Sequence, residues 1–347
     1  MVLMRGSQLL VNQLYSEGID TVFSLPGVQI MSIFDSLYEF RDRIRLIQTR
    51  HEQATTYMAD GYAKASGKPA AAIVVPGPGL LNATAGLGTA YSSSSPVLLI
   101  SGQIQSDSIG KQKGELHEID DQLDIVEPIT KWNQRVTKTE DIPEAIHNAM
   151  HELKTGRPRP VELEIPYDFL TDTVETNLMA PSEYPRKEGS QNNIQKAVQL
   201  LSSSENPTII AGGGTTISGA SSELLELAEL LQAPILTTNQ AKGIIPSDHY
   251  LNMGTEFAGL GPGERIIPYS DVVIGIGTRF MTDFTINKEQ RIIQVNIDPD
   301  ELGRNTRCDI GILGDAKTIV RQILNNLQSR VKQRRSRKDS MIQQKKE

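Results

Sequence analysis

The chain has 347 residues, a formal net charge of -7 and 38 % apolar residues. That length suits two domains rather than one, and the mildly acidic balance argues against nucleic acid as the main partner. The single cysteine, Cys308, excludes an intrachain disulfide and reads as a packed thiol in a reducing, cytoplasmic setting. No apolar run reaches the roughly 18 residues that a membrane helix needs, and the start, MVLMRGSQLLVNQLYSEG, has no cleavage pattern of a secretory signal.

In chain order, a helix is expected from about Arg5 to Glu17, then a short strand at Thr21–Ser24 and another in IRLIQT. The following HEQATTYMADGYAKASG places Ala54, Met58 and Tyr62, then Thr55, Ala59 and Ala63, at four-residue spacing, which predicts a helix with a small-residue face. AAIVVP, PVLLISG and the strand ending at Pro166 complete an alternating βα rhythm. Apolar strands that alternate with helices imply a mainly parallel sheet covered on both faces.

From Asp172 to Ser190 the sequence turns polar and proline-containing, which marks a linker. The expected division is a first domain at 1–171, a linker at 172–190, a second α/β domain at 191–329 and a tail at 330–347. In the second domain NPTIIAGGG, APILTT, DVVIGIG and RIIQVNIDP read as strands, and SSELLELAELLQ as a helix. From Arg330 to Lys346 the tail carries eight Lys/Arg against one acid, Asp339, and is expected to be a solvated linker or frayed end rather than a lipid or nucleic-acid arm.

Glu52 stands where a strand gives way to a helix. Alone it is explained by the helix macrodipole, which favours an acid there. Its context, RHEQATTYMADGYAKASGKPA, resembles the RHEQ...MADGYAR.TGKP signature of the thiamine diphosphate-dependent acetolactate synthases. SLPGVQIMSIFDSL and PGPGLLNATAGLGTAYSSSSPVLLISGQ resemble further segments of that family in the same order, as do DIPEAI and GRPRPV. The resemblance covers nearly the whole chain.

It implies two α/β domains with mainly parallel sheets covered by helices, a pyrimidine-binding type followed by a Rossmann-like one. The position matching Glu52 hydrogen-bonds a ring nitrogen of the cofactor's aminopyrimidine and so activates the thiazolium carbon. Burial that raises a carboxyl group's pKa suits such proton exchange, and the small-residue helix face is expected to supply it. Pro26, Gly27, Gly77, Gly79 and Asn82 are the other expected cofactor contacts. Glycines let backbone approach a flat ring, although each alone also fits a tight βα turn.

In the second domain, the family's FAD-containing members hold the flavin at positions matching Gly212, Gly213, Gly214 and Arg279, with help from that matching Arg157. A Gly-rich turn after a strand also suits a nucleotide phosphate. The family's RFDDRVT stands here as RFMTDFT, with Asp283 in place of an arginine, so FAD is an open expectation. A nicotinamide site is disfavoured because no GxGxxG follows that strand.

Near the first site the family's phenylalanine and glutamine are replaced by Leu116 and His117. His117 has a side chain suited to acid–base work near neutrality, and equally suits a loop. Val75-Pro76 and Val28 are further departures. In the family a third domain binds magnesium and the cofactor's diphosphate through a Gly-Asp-Gly motif. The nearest text here, Gly314-Asp315-Ala316, belongs to the central domain's pattern, so the diphosphate site and its Mg2+ are expected on a domain outside this sequence or on a partner chain. No metal ligands are assigned in this chain.

The expected activity is decarboxylation of a 2-oxo acid with carboligation, as a subunit or fragment in a homodimer or higher oligomer. The alternatives are a simple 2-oxo acid decarboxylase and a non-catalytic assembly protein that kept the fold.

Overall fold

The computed structural model describes residues 2–256, 261–280, 286–331 and 334–346. The chain divides into two compact units, Met1–Tyr184 and Pro185–Glu347.

The first unit runs β1 (Val2–Arg5), α1 (Gly6–Ser16), β2 (Thr21–Ser24), α2 (Met31–Glu39), β3 (Arg45–Gln48), α3 (Glu52–Ser66), β4 (Ala70–Val74), α4 (Pro78–Ser93) and β5 (Val97–Gln103). It continues through α5 (Gln122–Val126), β6 (Trp132–Arg135), α6 (Ile142–Lys154), β7 (Val161–Pro166), α7 (Tyr167–Thr171) and β8 (Thr173–Thr176). Six strands form one parallel sheet in the order β3-β2-β4-β5-β7-β6. Strands β4, β5 and β7 are buried along their whole length, as expected when helices cover both faces.

Local sequence explains where these helices begin and end. His51 caps α3 by accepting the Gln53 N–H, and Gly67 ends the helix in the left-handed conformation, where glycine carries no Cβ penalty. Thr55, Ala59 and Ala63 form its buried face, while Met58 is exposed. Pro78 opens α4, a position at which its missing N–H costs nothing.

The segment read as a linker from 172 begins instead with β8, which pairs antiparallel with β1 from Val2↔Thr176 to Arg5↔Thr173. Two four-residue strands without sustained apolar alternation give no local strand signal.

The second unit runs α8 (Gln191–Ser203), β9 (Pro207–Ala211), α9 (Gly213–Ser218), α10 (Ser221–Leu231), β10 (Ile235–Thr237), β11 (Asn252–Thr255) and α11 (Gly263–Ile266). β12 (Val272–Ile276), β13 (Arg291–Asn296), β14 (Ile310–Leu313), α12 (Ala316–Leu327) and α13 (Lys338–Lys346) follow. Its parallel sheet has the order β11-β10-β9-β12-β13-β14, the doubly wound arrangement that reverses direction between its first and fourth strands. Asp315 caps α12 by accepting the Thr318 N–H and pairs with Arg186, so Gly314-Asp315-Ala316 is used as a helix start.

The tail departs from the expected solvated end. Met341 is buried, and the Arg334 guanidinium donates to the Leu201 and Leu231 carbonyls. Those carbonyls lie in the last turns of α8 and α10, where unpaired backbone acceptors favour a cation. Among the described residues, no helix is long and apolar enough to cross a membrane.

Candidate functional site

In the first sheet the strand order reverses between β2 and β4. Open α/β sheets bind ligands beyond the C-terminal ends of the strands at such a reversal. The Pro26-Gly27 turn follows β2, Glu52 opens the helix after β3, and Gly77–Gly79 follows β4. The topology thus carries all three segments to one sheet edge.

These segments meet closely. A Cβ on Gly27 would collide with a Val75 methyl, and one on Gly79 would lie 2.5 Å from Val75 Cγ2 and 3.6 Å from Glu52 Oε1. Asn82, on the first turns of α4, donates from Nδ2 to Glu52 Oε2 at 3.0 Å. Glu52 is half-buried and Asn82 exposed within this unit. Pro26 is exposed, as are the apolar side chains of Val28 beside Gly27, Leu81 beside the Gly77–Gly79 turn, and Leu116.

Gly77 has φ +55 and ψ -112, a conformation that L side chains rarely adopt. A Cβ there would also strike the His117 carbonyl. His117 itself is left-handed at φ +71, and its Nδ1 is buried without a hydrogen bond among the described residues. The loop is held from within, because the Glu118 carboxylate accepts the N–H groups of Lys113, Gly114 and Glu115. Gln29 Nε2 donates to the Leu116 carbonyl at 2.9 Å. The structure therefore places His117 over the Gly77 turn through its backbone.

A polar cluster that sequence reading did not identify is buried beneath this turn. Gln122 bonds Gly77, Gly102 and Glu164. Glu164 pairs with Arg135, and Ser101 Oγ donates to Glu162 Oε1 at 2.5 Å. Glu162 and Glu164 are two apart on β7 and so point to one face. Burial, and then the Glu164 charge, push the Glu162 carboxyl well above its usual range, which the Ser101 hydrogen bond only partly opposes. A weak sequence signal existed, since two acids in an otherwise apolar strand need partners.

In the second unit Gly212, Gly213 and Gly214 sit at the reversal between β9 and β12. The Gly212 N–H donates to the Ile276 carbonyl and that of Gly214 to the Gly277 carbonyl. A Cβ on Gly212 would come within 2.6 Å of Thr278 Cα, and one on Gly214 within 2.7 Å of Gly277 Cα. These glycines join two loops, and two of the three amides are already committed. The turn does not fit a flavin diphosphate cradle built on those amides. Arg279 is exposed, and Asp283 lies outside the described residues. Arg157, in the first unit, donates to Ser94 Oγ at 2.9 Å.

Two family models match the chain. Residues 4–125 match the thiamine pyrophosphate enzyme N-terminal TPP-binding domain, and residues 194–323 the thiamine pyrophosphate enzyme central domain. A probable acetolactate synthase large subunit from Methanocaldococcus jannaschii is 38 % identical over 92 % of this chain and 56 % of its own length. An acetolactate synthase large subunit from Buchnera aphidicola subsp. Schizaphis graminum is 35 % identical, over 93 % of this chain and 58 % of that protein. A probable 2-ketoarginine decarboxylase from Pseudomonas aeruginosa is 36 % identical, again over 93 % and 58 %. The chain spans well under two thirds of these relatives. Its two matched domains, each on its own α/β unit, establish that it belongs to the thiamine pyrophosphate enzymes.

Proposed function

We propose that this chain supplies the aminopyrimidine-binding half of an enzyme that decarboxylates a 2-oxo acid and joins the remaining fragment to a second carbonyl compound, as in acetolactate synthesis. The observation carrying this reading is the Asn82–Glu52 hydrogen bond beside Gly79. It orients one carboxylate oxygen and leaves the other facing a surface without a side chain.

Thiamine diphosphate, when bound, supplies a carbon nucleophile and an electron sink for loss of carbon dioxide. Glu52 exchanges a proton with the pyrimidine ring nitrogen, while Asn82 fixes the carboxylate's rotation. Gly27, Gly77 and Gly79 give backbone access to the ring, with Pro26 at the mouth. The backbone of the 113–118 loop closes one side and presents His117 as the candidate acid or base toward substrate. Magnesium and the diphosphate are assigned to a further domain, in the same or a partner polypeptide, within a homodimer or larger assembly. Flavin is given no role.

The test is calorimetric titration with thiamine diphosphate and Mg2+, alone and with a polypeptide carrying a relative's remaining domain, followed by turnover of pyruvate. Glu52→Gln is expected to lower carbon dioxide release by about 100-fold or more, the usual range for lost acid–base catalysis. Full activity in that variant would end the proposal.

A second reading, simple decarboxylation, is favoured by His117 standing over Gly77 and by the similarity to the probable 2-ketoarginine decarboxylase. An accumulating aldehyde, with no ligated hydroxyketone, would select it.

A further inference from the structure

Gln122 is fully buried at the start of α5, and its side chain bridges three strand-end segments. Oε1 accepts the Gly77 N–H at 2.7 Å, and Nε2 donates to the Gly102 carbonyl and to Glu164 Oε2, each at 3.1 Å. The amide's orientation is forced, because Gly77 N–H can only donate and the Gly102 carbonyl can only accept.

The tether is itself held. Arg135 Nε bonds the other Glu164 oxygen, and Arg135 Nη2 reaches Asp121 Oδ1 at 3.2 Å. Asp121 Oδ1 also accepts the Leu123 N–H and so caps the helix that bears Gln122. The ring Asp121–Arg135–Glu164–Gln122 is therefore closed. Packing alone would be met by any apolar side chain of this volume, whereas this cluster spends a buried ion pair on aiming one amide at one backbone N–H.

We propose that Gln122 is a positioning residue for the cofactor site, setting the Gly77 turn and through it the placement of Gly79 against Glu52. This rests on the functional reading above. From Gly77, pinned between the Gln122 amide and the His117 carbonyl, two residues lead to the Gly79 backbone that faces Glu52 Oε1. Loss of the tether frees the turn and weakens the ring's seat while leaving every residue that meets the ring unsubstituted.

The sequence provides a direct probe. Glycine follows proline only at Gly27, Gly77, Gly79 and Gly263, so carbonyl-13C proline with 15N-glycine labels three site amides and one control in the second unit. Amide exchange, and titration with thiamine diphosphate and Mg2+ in the presence of a polypeptide carrying a relative's remaining domain, are read on these signals in the full chain. Gln122→Met, close in volume, is expected to speed Gly77 exchange by about tenfold or more and to weaken binding by about tenfold, with Gly263 unmoved.

The double variant Gln122→Glu with Glu164→Gln restores an acceptor for the Gly77 N–H and a donor at position 164 but sets a carboxylate oxygen against the Gly102 carbonyl, so it is expected to slow Gly77 exchange relative to Gln122→Met without reaching the unsubstituted rate. Unchanged Gly77 exchange in Gln122→Met would overturn the proposal, as would faster exchange with unchanged binding. If the unsubstituted chain shows no shift at Gly27, Gly77 or Gly79 on titration, the functional reading has failed and this inference falls with it. The exchange data still report separately whether the tether exists.

Discussion

Arg135→Met removes the cation from a buried carboxylate while keeping most of the side chain's length. The Glu164 side chain is 0 % exposed and Arg135 25 %. Breaking a buried pair from one side typically costs about 3–5 kcal/mol because the remaining charge is left unpaired. Arg135's partial exposure puts the expected loss at the low end, about 3 kcal/mol. The only tryptophan, Trp132, lies on the same strand in the first unit, so its fluorescence during urea unfolding reports that unit alone. A urea slope of about 2–3 kcal/mol per M makes the expected fall in midpoint about 1–1.5 M. Arg135→Met with Glu164→Gln, which removes the stranded charge as well, should recover most of it. An unshifted midpoint in the single variant, or a double variant as unstable as the single, would refute the assignment of a buried charge load to this pair.

Glu162 gives a pH-dependent counterpart. Its folded pKa is raised above 4.5, so the proton it keeps in the native state favours folding most fully below about pH 4.5, and that contribution is lost as pH rises toward the folded value. Glu162→Gln should therefore gain on the unsubstituted chain as pH rises above 4.5 in the same fluorescence assay, and a pH-independent difference would contradict this. Gly86→Ala would place a Cβ 2.7 Å from the Tyr57 backbone nitrogen and against Thr56 Oγ1, with an overpacking cost of about 1–3 kcal/mol. Gly88→Ala on the same helix meets nothing within 4 Å and should be neutral or stabilising by up to about 1 kcal/mol; equal urea midpoints for the two would contradict the close approach of α4 to α3 at Gly86.

The parts of the site visible in sequence are those in which a local pattern has a local cause. Gly27, Gly77 and Gly79 stand in short turns after apolar strands, and Glu52 stands at a helix start, so position along the chain already suggested their neighbourhood. Gln122 offered no such signal, since its partners are 45, 20 and 42 residues away and a glutamine opening a five-residue helix has no distinguishing pattern. The four-residue strands β1, β6, β8, β11 and β14 were missed for a related reason, because edge pairing is decided by neighbours rather than by alternation. The triple glycine at 212–214 reads in sequence as a phosphate turn, whereas its contacts with Gly277 and Thr278 make it a packing joint. Composition alone does not separate those uses.

The β1–β8 ribbon joins residues separated by about 170 positions, and closing so long a loop costs about 4–5 kcal/mol in chain entropy. Four residue pairs cannot offset that from an open chain. The sheet between them must first bring the two ends together, which makes the ribbon a late event in folding and an early one in opening. Because Val2 and Thr176 form its outermost pair, tension applied at these two residues loads the bonds one at a time. The ribbon is thus a mechanical fuse that peels before the parallel sheet, with its cofactor-facing turns, bears any load.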